Sequence, residues 1–460
     1  MFLDKYLTEY DDTLSGEINI DPLGTLVIWS AYGQKIFSNR VNSISNDVRN
    51  YTLNLFNHHL IRQIDGDDSI QLSKRLSNLY GSKNALTFKY SCLVYLENLF
   101  VYSILKHDHK PSIDSGGVLG ITKARRTWSE TGGNPTLSFS HDAKEQLLVR
   151  QLSLGVSGRY KTPFVEIGYF DGYYHYDLPR ATDLWSRTEK FIHCSKSLSK
   201  SNKLIADHLR ELLAQNADVP QMSFEAISPE IHSTLSTTFA SSGSVGKYAR
   251  QYWLESTGLD FGAAGALLKV LDANASKKVP DALDAQSLIH RTEREGLHAD
   301  AVEKFENIEL LEPFLADIAL LFFLSICKKS QEIGEVVKQW TVFNRDNKTL
   351  VNGALRVQEK MAVLQVLTGT AKSRLSKLLQ LSSQTTVEAQ IQHILDYHKQ
   401  VMLNRGQVSW VKVESNGTLK VNVRPSKMPV PEDWPVGCWY NNYYIPQFMS
   451  LVDGYQGGVQ

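Results

Sequence analysis

TVEAQIQHILDYHKQVMLNRGQVSWVKVESNGTLKVNV, residues 386–423, changes the period of its apolar residues partway along. In the first half Val387, Ile391, Ile394, His398 and Val401 recur every three or four positions, the spacing of one buried helix face. From Val408 to Val413 and again from Thr418 to Val423 they alternate instead, on either side of Ser415-Asn416-Gly417. Asn-Gly between two alternating runs is a strong hairpin signal, because both residues tolerate the positive φ that a tight turn demands. Two more amphipathic segments, 354–367 and 371–381, precede this stretch. Three helices followed by a hairpin is the order of a winged helix, and residues 346–428 are read as a segment of that kind.

Charge singles out the same region. The whole chain of 460 residues carries 49 Lys and Arg against 49 Asp and Glu, a formal net charge of zero. Between Ala354 and Lys427, however, eleven basic residues face only Glu359, Glu388, Asp396 and Glu414, so the remainder of the chain is acidic by the same margin. A basic winged helix would lay its third helix in a DNA groove and its hairpin against backbone phosphates. The residues expected to make those contacts are Lys399, Arg405, Lys412, Lys420, Arg424 and Lys427. The faces of the third helix left over from its apolar stripe carry Glu388, Gln392 and Lys399, too few bases for a dense code of base contacts. Shape and phosphate recognition is the expectation.

Upstream, the pattern is that of a multi-helical body, so the fold class is mainly α. The run from Ala85 to Lys106 is apolar on nearly every face, which marks a helix central to a core, and Phe314 to Cys327 reads the same way. Neither is expected to cross a bilayer: the first contains Lys89, Glu97 and Asn98, and the second falls short of the ~20 apolar residues a span needs. Val41, Ile44, Val48, Tyr51 and Leu55 predict a long amphipathic helix with His58 on its apolar stripe, and helices are expected over 141–154. The aromatic passage 160–176 is compatible with short strands or an ordered loop, and the 241–244 Ser/Gly run with a flexible turn. Four segments follow: an amino-terminal helical domain, 1–157; a central helical domain, 158–345; the basic segment, 346–428; and a Pro- and aromatic-rich arm, 429–460, that packs back and frays from Gly454. The acidic amino terminus lacks the basic start and apolar run of a secretory signal, so a cytoplasmic chain with no membrane partner is expected.

Catalytic signatures fail on inspection. Ser242-Gly243-Ser244-Val245-Gly246-Lys247 lacks the first glycine of a phosphate-binding loop, and Tyr248 stands where that motif needs Ser or Thr. Gly155-Val156-Ser157-Gly158 is not a nucleophile elbow, and Asp142-Ala143-Lys144 resembles a nuclease strand signal only in a stretch that reads as helix. Cys92, Cys194, Cys327 and Cys438 are too far apart for a CxxC zinc site and read as reduced thiols. His58-His59 and His107-Asp108-His109 have the residue types of metal ligands without a recognised spacing. No cofactor is expected.

Three stretches, DPLGTLVIWS (21–30), SGRYKTPFVEIGYFD (157–171) and HKQVMLNRGQVSW (398–410), resemble uncharacterised proteins of multi-gene bacterial anti-phage defence islands. The resemblance covers about a tenth of the chain and transfers no residue role. It implies a bacterial subunit working beside a separately encoded ATPase, helicase or nuclease. The resulting expectation is a non-catalytic DNA-binding and assembly subunit whose partners are DNA and other products of the same operon. The alternatives are a protein-interaction scaffold without nucleic-acid contact, and a metal-dependent hydrolase built on His107, Asp108 and His109.

Overall fold

The computed structural model describes residues 21–360, 365 and 367–457. Helices dominate it, with a two-stranded and a three-stranded antiparallel sheet among the described residues, so the fold is mainly α. The chain forms two compact units: Gly33–Val302 with Tyr444–Gln460, and Met1–Tyr32 with Glu303–Tyr443.

The first of these units surrounds helix Leu86–Lys106, whose residues from Leu93 to Ile104 are buried without interruption. A helix with no polar face must be covered on every side. Helices Val48–Asp65, Ile121–Glu130 and Pro229–Thr238 pack against it. Its buried charged residues are matched. Lys89 Nζ donates to the Tyr174 carbonyl at 2.8 Å and lies 4.8 Å over the Tyr176 ring. Glu97 accepts from Ser157 N at 2.8 Å and Gln151 Nε2 at 3.1 Å, fixing the start of helix Val156–Ile167. That helix occupies much of the 160–176 aromatic passage and stops at Gly168, at φ 106. Beyond it the chain is an ordered loop in which Asp171 accepts from the backbone of Tyr173 and His175.

Local hydrogen bonds override periodicity in several places. The helix expected from Val41 begins only at Val48, because the Asn42 side chain holds the amides of Ile44 and Ser45 in a turn and Asp47 caps the helix. Over 141–154 a short 3₁₀ turn, Ala143–Glu145, and a single helical turn, Gln151–Leu154, replace the expected helix. There the Gln146 and Gln151 side chains take the amides of Gln151 and Leu147 for themselves. The Ser/Gly run is not a flexible turn: Ser241 and Ser244 form a capping box, and Ser242–Thr257 is helix. A Cβ on Gly246 would fall 1.8 Å from the Gly454 carbonyl oxygen, so these glycines let helix Ile445–Tyr455 cross in backbone contact. Gly454 is therefore buried in a helix and does not fray.

The second unit is organised by the Ala299–Ile326 helix from Glu303 onward, which contains the 314–327 run up to Ile326. Buried Glu312 accepts from Tyr440 N and Asn441 N, both at 2.7 Å, from Asn441 Nδ2 at 3.0 Å and from the Tyr443 hydroxyl at 2.5 Å. Asp317 accepts from Arg345 Nε at 3.0 Å, and Arg345 in turn donates to the carbonyls of Trp434 and Pro435. Residues 434–443 of the aromatic arm are thus tied to this helix. Thr349–Glu359, Gly369–Leu378 and Val387–Asn404 overlap the three segments read as helices, the first starting five residues earlier than expected and ending already at Glu359. The end of the first segment, at 361–364 and 366, lies outside the described residues.

No helix of the described residues is long and apolar enough to cross a membrane. All four cysteines are free, Cys92 buried and Cys194 exposed.

Two measurements test these anchors. Burial pushes His58 down to about 3 and His59, His208 and His232 down to about 4. Their folded values lie below the unfolded ~6.5, so the unfolded chain binds more protons, and their stabilisation, complete above pH ~6.5, is lost as pH falls. The Glu97 carboxyl, raised by burial, and Glu312, raised by burial to about 7, act in the opposite sense, but the four imidazoles outnumber them in this window. The melting temperature should drop between pH 7 and 5, and a flat profile would contradict the neutral buried imidazoles. Glu312→Ala should lower unfolding free energy by about 2–4 kcal/mol, since it leaves buried donors unmatched, and chemical denaturation measures this.

Candidate nucleic-acid interface

The hairpin forms where Asn-Gly places it, with strands Val411–Val413 and Thr418–Val421, shorter at their outer ends than the alternation. Glu414 N donates to the Thr418 carbonyl at 2.9 Å, Gly417 N to the Glu414 carbonyl at 3.0 Å, and Gly417 sits at φ 82. Register pairs Val411 with Val421, Lys412 with Lys420 and Val413 with Leu419. Because side chains alternate across a strand, Val411, Leu419 and Val421 are buried while the two lysines share the outer face. A third strand, Ser330–Glu332, pairs with Thr418–Val421 on its other side, giving the order 330–332, 418–421, 411–413. The sequence reading missed this strand, which at three residues is too short to show a period.

His398 positions the hairpin against the third helix. Its Nε2 accepts from Trp410 N at 3.0 Å, so the proton resides on Nδ1, which donates to the Pro22 carbonyl at 2.8 Å. The ring lies 4.9 Å from Phe322, and burial lowers the imidazole pKa. One polar residue on an apolar stripe was the only signal of this role.

The six expected contact residues do not behave alike. Lys399 and Lys412 line one groove of about 600 Å³ between helix Val387–Asn404 and the hairpin, together with Asp396, Leu403, Val408 and Asn422. Lys420 pairs with Glu414 at 2.8 Å yet keeps 55% of its side chain exposed. Arg424 and Lys427 are exposed further along the chain. Lys399, Lys412, Arg424 and Lys427 have no ion-pair partner among the described residues. Arg405 is instead built into the fold: it donates to the Asp21 carbonyl at 2.5 Å and stands 3.8 Å from the Asp21 carboxylate. Leu403 and Val408 are 65% and 80% exposed on the groove, apolar surface that the charge reading had not anticipated.

The residues weighed for other chemistry lie elsewhere. His107 Nδ1 bonds the Ser103 carbonyl at 3.0 Å, Asp108 pairs with Arg125 at 2.8 Å, and the His107 and His109 rings are 6.4 Å apart. His58 Nδ1 bonds the Tyr176 hydroxyl at 2.8 Å inside an aromatic cluster. Among the described residues no three His, Cys, Asp or Glu side chains come together in a group that could hold a metal ion. Asp142 precedes the 3₁₀ turn Ala143–Glu145 and Lys144 lies within it, 3.7 Å from Glu145.

Comparison of the chain with protein-family models, with curated proteins and with solved structures finds no match.

Gly417 carries the turn that brings Lys412 and Lys420 together. Gly417→Ala forces a side chain into the left-handed region at a cost of about 1–2 kcal/mol. Amide exchange across 411–421 should quicken, and unchanged exchange would remove the glycine from the account of the register.

Proposed function

We propose that the chain is a non-catalytic nucleic-acid-binding subunit that holds DNA phosphates with its basic hairpin and the exposed ridge of helix Val387–Asn404. The observation that carries this is the placement of Lys412 directly opposite Lys420 on one exposed face. Like charges facing each other across strands are destabilising, and Glu414 offsets only one of the two. An anion bound over the pair removes the repulsion and gains two charge-assisted bonds. Lys399 across the groove, with Arg424 and Lys427 beyond, extends the basic surface in the way a backbone-tracking contact requires.

The sheet order supports a winged-helix reading of this region. A strand preceding the helices, Ser330–Glu332, lies beside the second hairpin strand and anchors it, as the first strand of a winged helix anchors its wing. Helix Ile333–Val342 follows that strand directly and packs on Val387–Asn404. On this reading Thr349–Glu359 and Gly369–Leu378 are inserted between the second helix and the recognition helix. On the resemblance to defence-island proteins, such a subunit would work in a bacterial multi-protein system, beside a separate ATPase, helicase or nuclease.

A second reading rests on Leu403 and Val408, whose exposed side chains make the groove apolar as well as basic. Here the same region docks a partner subunit, and the protein is a scaffold.

Fluorescence anisotropy with labelled duplex DNA separates them. Binding by the full chain should weaken steeply with salt, since each neutralised phosphate releases counterions. Lys412→Glu, Lys420→Glu and Arg424→Glu together should abolish it. Salt-sensitive binding that survives the triple change would exonerate the hairpin. Absence of binding at low salt, with loss of a copurifying operon product in Leu403→Glu/Val408→Glu, would favour the scaffold.

A further inference from the structure

The chain enters the hairpin at Trp410, and the Trp410 amide is held by a side chain rather than by another backbone group. That side chain, His398, lies on the buried stripe of helix Val387–Asn404 and has both ring nitrogens bonded to backbone. Nε2 accepts from Trp410 N at 3.0 Å, and Nδ1 donates to the Pro22 carbonyl at 2.8 Å. One of these partners can only donate and the other can only accept, so together they specify the neutral Nδ1–H imidazole. Trp410 carries the connection onward: its carbonyl accepts from Asn422 N at 2.7 Å, and Asn422 Nδ2 donates to the Ser409 carbonyl at 3.2 Å. Its neighbours Val408, Ser409, Val411 and Lys412 form the hairpin wall of the groove that Lys399 lines from the helix.

A proton on Nε2 turns that acceptor into a donor. The Trp410 N–H and the imidazolium N–H then point at each other, while the Pro22 bond, made by the nitrogen that already carries a proton, is unaffected. Protonation therefore acts on the hairpin entry alone. The surroundings do not offset the added charge. Helix Ala299–Ile326 presents the Phe322 ring at 4.9 Å, the hairpin entry the Trp410 ring at 5.8 Å, and the segment before the first helix the Pro22 carbonyl. The charged side chain acting on the imidazole is Arg405, just past the end of its own helix, a cation that stands 3.8 Å from the Asp21 carboxylate. Burial is the main force that keeps the ring neutral; Arg405 adds to it and the Pro22 carbonyl opposes it.

We propose that His398 is a proton-operated catch: when the imidazole takes a second proton, the hairpin entry at Trp410 is released from helix Val387–Asn404, and Lys412 is no longer held across the groove from Lys399. The effect on DNA rests on the reading of this surface as a DNA contact; the release of Trp410 does not. Its direction is opposite to the ordinary one. Acidification adds positive charge and so strengthens binding to a polyanion, whereas here it weakens binding by withdrawing a lysine. Once His398 titrates, each further pH unit lowers the docked fraction by up to about tenfold, and affinity falls with it.

The test uses the full chain at fixed ionic strength while pH is lowered from neutrality. Imidazole ¹⁵N NMR should show an unprotonated Nε2 at neutral pH. Protonation of His398 should coincide with faster exchange of the Trp410 amide, after correction for the intrinsic pH dependence of exchange. Labelled duplex DNA should bind more weakly over the same range, by up to about tenfold per pH unit. In His398→Gln, whose side-chain amide accepts and donates at every pH, both dependences should disappear, a change of pH profile that a purely structural role would not produce. Where that variant does not fold, the titration of the unaltered chain decides. A Trp410 amide that stays protected while His398 protonates, an imidazole that stays neutral until the fold is lost, or a pH profile that His398→Gln retains overturns the proposal. If DNA is bound at no pH while Trp410 exchange follows His398, the catch stands and the reading of the surface as a DNA contact fails.

Discussion

A helix that is apolar all the way round has no face to give to water, and each compact unit of this protein meets that constraint around one such helix. Residues 88–104 of helix Leu86–Lys106 and 311–326 of helix Ala299–Ile326 are buried almost throughout, so the few polar residues among them cannot be solvated and must find partners in the protein. Those residues become fixed points. Lys89 and Glu97 set where the 174–176 loop and the Val156–Ile167 helix come to rest. Glu312 and Asp317, the latter through Arg345, determine the path of residues 434–443. Burial of four charged groups thus converts two hydrophobic axes into frames with specified attachments. An uncompensated charge at these depths is disfavoured by several kcal/mol, far more than a misplaced loop gains elsewhere.

The basic segment shows the complementary logic. Its apolar stripe, Ile391, Ile394, His398 and Val401, is buried, with the His398 ring against Phe322, and the lysines occupy the positions that remain. His398 is the joint: one ring nitrogen donates to the Pro22 carbonyl and the other accepts from the chain as it enters the hairpin. The orientation of the lysine pair relative to the helix therefore depends on a neutral imidazole whose two nitrogens have opposite roles. Charge in this region is not one continuous surface. Arg405 is spent on Asp21 and Arg374 on Gly24, which leaves two separate polar depressions flanking one exposed helix ridge.

Expectations that rested on long runs of one period survived, and those that rested on short runs did not. Leu86–Lys106, Val387–Asn404 and the hairpin each present at least one full repeat of their pattern, so the burial gained is large compared with any competing local bond. The 41–47 and 141–154 stretches have apolar residues at helical spacing, but Asn42, Asp47, Gln146 and Gln151 offer the backbone side-chain partners that a helix would have to displace. The 242–247 stretch failed in the other direction: its glycines suggest freedom, whereas Gly246 is required by the approach of Gly454 more than 200 positions later.

The sequence by itself determined the helical class, the hairpin and its turn, and the concentration of positive charge between 354 and 427, because each follows from the order of residues within a few turns of chain. Only the tertiary structure decided which of those charges remain available and what lies beside them. Arg405 is withdrawn by a residue 384 positions away, and Arg374 by one 350 positions away. The third strand at 330–332 was equally invisible, since three residues carry no period. Neighbours along the chain are fixed by covalent geometry and can be read locally, whereas hydrogen-bond partners across hundreds of residues exist only once the core has brought them together.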